Sequence, residues 1–181
     1  MEGVERYRVR LMPHNNLWET EFLKVKEQLA KAWKDNIIDI QHVGSTAIPA
    51  IVAKPILDIA VKLRSIKLMN VDALKSLGYD YCGEQHGNAN YHLFVLRGEN
   101  QISLRHIHCY DIIEKEFDLL VGFRDYLNAH SDAAMEYQNL KIQLSHKFPN
   151  DRLAYTNGKR QFIAAINAKV NTRENQSLKS K

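Results

Sequence analysis

The 181-residue sequence holds two cysteines, four prolines and no long apolar run, and each scarcity removes a class of protein. Cys82 and Cys109 form neither a disulfide framework nor a CxxC site, so a reducing compartment is expected, with both thiols as small core fillers. The prolines do not cluster, and no Ser-rich linker or internal repeat interrupts the chain. One domain over 1–170 is therefore expected. A polar tail over 171–181, with no aromatic or β-branched run, is expected to fray. No segment approaches the roughly 18 apolar residues that mark a membrane span, and Met1-Glu2-Gly3-Val4-Glu5-Arg6 lacks an apolar signal core. A cytoplasmic protein without a membrane partner is the expectation. Charge of one sign is lacking too: 25 basic residues face 21 acidic ones, a net charge of +4. The lysines are dispersed and alternate with acids, which disfavours a nucleic-acid partner and remains compatible with a phosphorylated small molecule.

What is present is an ordinary globular composition, enough for one core. A domain of this length buries roughly 70% of its unfolded surface. Trp18, Phe22, Val25, Leu29 and Ala32 recur at helical spacing, predicting a helix over 17–33. Ile37 to Val43 is β-branched and partly alternating, and Ile56 to Val61 is nearly all apolar; both predict strands, the second a central one. A short helix is expected from Val71 to Leu77 and a loop from Gly83 to Asn90. Strands at Tyr91–Leu96 and Ile102–Tyr110 flank Gly98-Glu99-Asn100 as a hairpin. Three helices follow. Phe117, Leu120, Phe123 and Leu127 line the first. Ser131 caps the second, striped by Tyr137, Leu140 and Leu144. Asp151 caps the third, striped by Phe162, Ile166 and Val170. A helix, then strands, then a helical block is an α+β order.

Chemistry is expected where a strand ends in Gly44-Ser45-Thr46. Glycine there permits a sharp turn and a close approach to the backbone, and Ser45 or Thr46 can open a helix whose amides favour an anion. Asp58 stands inside an apolar strand, where a carboxylate must be hydrogen-bonded, paired or metal-bound. The same residues also suit a plain N-cap and a structural acceptor. His106 and His108 share one face of a strand and suit a transition metal, a phosphate or simple hydrogen bonding. Arg97 and Arg105 are forks suited to phosphate oxygens, and Lys54 and Lys159 are within reach of a phosphate in sequence terms. Glu84, after Gly83, is a late carboxylate, and His42 suits a packed core histidine.

His42-Val43-Gly44-Ser45-Thr46-Ala47-Ile48-Pro49 with Ala53-Lys54-Pro55-Ile56-Leu57-Asp58-Ile59 resembles the signature of the GrpB family. Phe123-Arg124-Asp125-Tyr126-Leu127-Asn128-Ala129-His130 and Tyr137 to Phe162 continue the resemblance, which runs from Val9 to Ile166. It implies a nucleotidyltransferase-like fold of the polymerase-β type: a mixed sheet with flanking helices and a C-terminal helical block. It also implies a nucleotide ligand and a divalent metal, magnesium by expectation, that neutralises phosphates during in-line nucleotidyl transfer to an unnamed acceptor. Gly44 and Ser45, with Thr46, match the phosphate-gripping turn, backed by Lys54, Arg105 and Lys159. Asp58 matches the first acid of an Asp-x-Asp/Glu pair, but the second position is Ala60. Asp58, His106 and His108 are then the catalytic and metal candidates, with Glu84 as a further ligand. The missing acid leaves a second possibility, a binder of nucleotides or phosphometabolites without catalysis. Some family members are joined to dephospho-CoA kinase, which puts CoA-related ligands among those to test.

Overall fold

A computed structural model of the chain describes residues 2–5 and 7–179; for 173–179 it describes the backbone alone. The elements run α1 Leu17–Trp33, β1 Ile37–Val43, β2 Leu57–Leu63, α2 Val71–Lys75, β3 Tyr79–Gln85, β4 Asn88–Arg97 and β5 Ser103–Asp111. The helical block follows as α3 Glu116–Ala129, α4 Ser131–Lys147, α5 Arg152–Gly158 and α6 Arg160–Lys179. The strands form one five-stranded mixed sheet in the order β1-β2-β5-β4-β3. Only β2 and β5 are parallel, and they are separated in sequence by the β3–β4 hairpin. The fold is the expected α+β mixed sheet with a helical block. The backbone of α6 overlaps the segment expected as a polar tail, most of which lies outside the described side chains.

The period-two alternation of β2 sorts its side chains between two layers. Leu57, Ile59, Val61 and Leu63 face α1 and pack with Trp18, Phe22, Val25, Leu29 and Trp33. The buried stripe of α1 ends on Trp33, whose Nε1 donates to the Asn70 carbonyl at 2.9 Å, rather than on half-buried Ala32. Asp58, Ala60 and Lys62 face the helical block instead. Ala60 packs with Val43, Tyr110 and Phe117, and Lys62 pairs with Asp118 of α3 at 2.8 Å.

Several expectations are corrected. Gly83–Asn90 is no loop: β3 and β4 run through it and are joined by His86 and Gly87, both at positive φ (55° and 70°), as a two-residue hairpin requires. As an edge strand, β3 is half polar, with exposed residues at every second position, so it carries no apolar run to announce it. Cys82 stands on that strand and is exposed, while Cys109 is buried. Ser131 opens α4 without capping it; the cap position is His130, stacked on Tyr126 with ring centroids 4.0 Å apart. The third helix of the block is two, α5 and α6, meeting at Lys159. In α4 the buried position after Tyr137 is Lys141, not Leu140.

Two outcomes follow from this packing. Phe94 is fully buried against Trp33 and Tyr81 in the sheet layer beneath α1. Phe94→Ala should cost about 3–5 kcal/mol, read as a lower midpoint in denaturant titration. A thiol reagent should label one cysteine in the native protein, Cys82, and reach Cys109 only on unfolding; loss of labelling in Cys82→Ser checks the assignment.

Candidate functional site

The site is built where β1 turns into β2. Val43 pairs with Asp58, and the chain leaves β1 through Gly44 at φ 70°, ψ −171°, a region essentially confined to glycine. A β-carbon there would lie 2.7 Å from Asp58 Oδ2. Glycine is required because this chain's own carboxylate approaches the turn.

On the other flank, parallel β5 sets His106 level with Asp58 and His108 level with Ala60. All three polar side chains therefore point into the helical-block layer. His106 Nδ1 is 3.0 Å from Asp58 Oδ1 and His108 Nε2 is 3.5 Å from the same oxygen. Tyr91 of β4 places its hydroxyl 2.7 Å from His108 Nδ1, and its ring stacks on Tyr110 at 4.6 Å. Three donor atoms, one from each of Asp58, His106 and His108, lie within 4.8 Å of one another.

Burial alone would push the Asp58 carboxyl up; hydrogen bonds and charge from His106 and His108 outweigh it and hold the group well below the usual carboxylate range. An ionised carboxylate only accepts, so the His106 nitrogen facing it carries the proton. Burial lowers the His106 imidazole below its ordinary value, with Asp58 opposing.

A narrow inner lobe of about 140 Å³ opens beside Asp58 and His106, lined also by Gly44, Ser45, Thr46, Lys54, Tyr137, Arg152, Tyr155 and Lys159. Lys54 and Lys159 lie 5.3 and 4.8 Å from the centre of the Tyr155 ring. Burial, with repulsion from Arg152 and Lys159, lowers Lys54 to about 7. Burial lowers Lys159 to about 8, with Asp58 opposing and Arg152 adding. Lys141 is lowered to about 7 by burial and then by Lys159 and Lys54, and its Nζ donates to the Val52 carbonyl. A wider outer lobe of about 660 Å³ shares Gly44, Asp58 and Lys159 with the inner one and is walled by His86, Asn88, Tyr91, His108 and Tyr110.

The structure thus brings Gly44, Ser45, Thr46, Lys54, Asp58, His106, His108 and Lys159 to one two-lobed cleft. Three predicted residues do not join them. Arg105 alternates to the opposite face of β5 and pairs with Glu21 of α1 at 2.5 Å. Arg97 pairs with Asp80 at 3.0 Å. Glu84 is exposed on β3 opposite His92 and outside the donor cluster. The helix start expected after Gly44 is a single 3-10 turn, Ser45–Ala47, and the Thr46 hydroxyl is engaged by buried His42 at 2.9 Å. The position of the missing second acid, Ala60, has no exposure at all. The sequence reading passed over Arg152, Tyr155, Tyr137 and Tyr91. Arg152 and Tyr155 stand three apart on α5 and Lys159 follows four later at its C-terminal end, a helical spacing that would have found two of them.

Gly44→Ala forces a side chain into Asp58 and a backbone conformation that alanine resists. It should lower stability by about 1–3 kcal/mol, or a melting temperature several degrees lower, and Gly44→Ser should do no better.

Comparison with known proteins identifies the family and the fold. The family profile described as GrpB protein matches residues 8–169. The glutamate-rich protein GrpB of Alkalihalophilus pseudofirmus is 36% identical over 181 residues, covering 92% of this chain and 98% of that one. The UPF0157 protein YqkA of Bacillus subtilis is 36% identical over 166 residues, covering 90% of this chain and 48% of the relative, so this chain spans about half of YqkA. Among solved structures, GrpB from Enterococcus faecalis superposes with a TM-score of 0.80 at 28% identity over 91% of this chain and 99% of that one. The Cid1 poly(U) polymerase, in a structure with MgGTP bound, superposes with a TM-score of 0.52 at 11% identity over 75% of this chain and 43% of its own, a likeness of fold. With its profile match over most of its length and relatives of this identity, the chain belongs to the GrpB family.

Proposed function

We propose that the cleft binds a nucleotide or another phosphorylated small molecule, with its phosphates in the inner lobe. One observation carries this reading: Lys54, Arg152 and Lys159 gather in a narrow lobe whose only acid, among the described residues, is Asp58. Burial and neighbouring cations lower both lysines, so an anion entering the lobe relieves repulsion as well as gaining contacts. The outer lobe, floored by Tyr91 and Tyr110, offers aromatic surface of the size a base or an acceptor needs.

Nucleotidyl transfer is the second reading, favoured by the position of ionised Asp58 where the two lobes meet. In it the inner lobe holds the phosphates, Ser45 and the basic residues orient them, and an acceptor sits in the outer lobe. The paired-acid magnesium arrangement implied by the fold does not fit this chain. Ala60 is sealed among apolar side chains, and the donors beside Asp58 are imidazole nitrogens rather than oxygens. Asp58→Asn should abolish any pyrophosphate release from nucleoside triphosphates, whereas pyrophosphate release that survives it removes the transfer reading.

Binding is tested by heating the protein with inorganic tripolyphosphate and with nucleoside triphosphates. Ligand at 100 times its dissociation constant adds about 2.7 kcal/mol of stability, a clear shift in melting temperature. Lys159→Gln should remove most of that shift, and an unshifted wild type at millimolar ligand ends the proposal. The pH dependence has a definite sign. Lys54 and Lys159 titrate near 7 and 8 when folded and well above that when unfolded. The unfolded chain therefore binds more protons between about pH 7 and 10, and the empty protein gains stability as pH rises through that window. A bound anion pulls both lysines back toward full charge. Binding near pH 8 should take up protons, seen by calorimetry in two buffers of different ionisation enthalpy, and affinity should fall as pH rises to about 9.

A further inference from the structure

We propose that Asp58, His106 and His108 form a binding site for a divalent first-row transition-metal ion, with Tyr91 orienting His108 from behind. This goes beyond the phosphate reading and stands independently of it. The chemistry of the donors comes first. One carboxylate and two imidazoles are borderline ligands that suit manganese, iron, cobalt or zinc, whereas magnesium prefers an all-oxygen octahedron that retains much of its water.

Two of the three donor separations match coordination distances directly, and all three donor atoms lie within 4.8 Å of one another. Two donors each about 2.1 Å from one ion stand about 3.0 Å apart at right angles and about 3.4 Å apart at the tetrahedral angle. The separations from Asp58 Oδ1 are 3.0 Å to His106 Nδ1 and 3.5 Å to His108 Nε2. The ligands sit on the paired strands β2 and β5, so their spacing is set by sheet register rather than by a loop. Ala60, level with His108, brings only a methyl group and so no competing donor.

The outer contacts complete the site. Loading requires each imidazole to present a lone pair. His106 moves its proton to the other ring nitrogen, and His108, with Nε2 turned to the ion, donates from Nδ1 to the Tyr91 hydroxyl 2.7 Å away. Ligand histidines are commonly fixed by such a partner. Tyr91 is itself held by stacking on Tyr110. His106 lines the inner lobe, His108 the outer lobe and Asp58 both, so the coordination positions left open face the cleft.

The test is cobalt titration of the chelator-treated full-length chain, followed by visible d–d absorption. The expected result is saturation at one equivalent with micromolar affinity, reversal by zinc, and no displacement by millimolar magnesium. The chain has eight histidines, so stoichiometry alone does not locate the ion. Asp58→Asn, His106→Gln and His108→Gln should each weaken binding at least about 10-fold, and Tyr91→Phe about 10- to 100-fold, with the fold checked by circular dichroism. Should a histidine variant fail to fold, Asp58→Asn and Tyr91→Phe carry the test. The proposal is overturned by the absence of a saturable one-equivalent band, by magnesium displacing cobalt, or by full affinity in the folded variants. Tripolyphosphate stabilisation measured in chelator separates this outcome from that of the phosphate reading.

Discussion

The parallel pairing of β2 with β5 is the constraint from which the cleft follows. It sets Asp58 beside His106 and Ala60 beside His108, and strand alternation then sends all three polar groups to one side. Had the register slipped by one residue, each of these side chains would exchange layers with Leu57, Ile59 or Ile107, which pack under α1. The apolar layer therefore enforces the polar one. A slip of β2 would drive the Asp58 carboxylate into the interface with Trp18 and Phe22, and a slip of β5 would turn the two imidazoles to that same layer.

That layering also explains the electrostatics. The helical block closes over the polar face and brings Arg152 and Lys159 to Lys54 of the β1–β2 connection beside a single carboxylate, with Lys141 close enough to feel Lys159 and Lys54. Lys141 occupies a position that helical spacing assigns to the apolar stripe of α4, buried between Tyr137 and Leu144. A cation there is costly to burial energy, and its partial loss of charge is how that cost is met. The block is held together by Phe123, Leu127, Tyr137 and Ile166, and against the sheet by Phe117 with Leu120 and Val121, which pack on Val43, Ala60 and Tyr110. Its charges work against closure until something negative lies among them.

Much of this was legible in the sequence, for reasons that particular residues show. β1, from Ile37 to Val43, and the apolar side of β2 announce themselves by β-branched runs. Gly44 and Asp58 stand out because a glycine after a strand and an acid within one each need a reason. The edge strand β3 was hidden because half of it is solvated, and an exposed Cys82 reads in sequence like any buried one. Arg105 was misplaced because alternation was applied to His106 and His108 but not to the residue between Leu104 and His106. Lys141 was missed because hydropathy places leucine inward and lysine outward, and only the packing of three helices decides which wins. Family resemblance supplied the fold and drew attention to Asp58; it did not supply the imidazoles that stand beside it.

The β3–β4 hairpin forms one edge of the sheet, and its tip lends His86 and Asn88 to the outer lobe. Two walls of different kinds therefore bound one cleft. The inner wall is made of central strands and packed helices, where any insertion would disturb the core. The outer wall ends in a two-residue turn on an edge, a place where chains lengthen and diversify at little energetic cost. Variation in sequence or length at that tip can reshape the outer lobe while the floor of the inner one stays as it is.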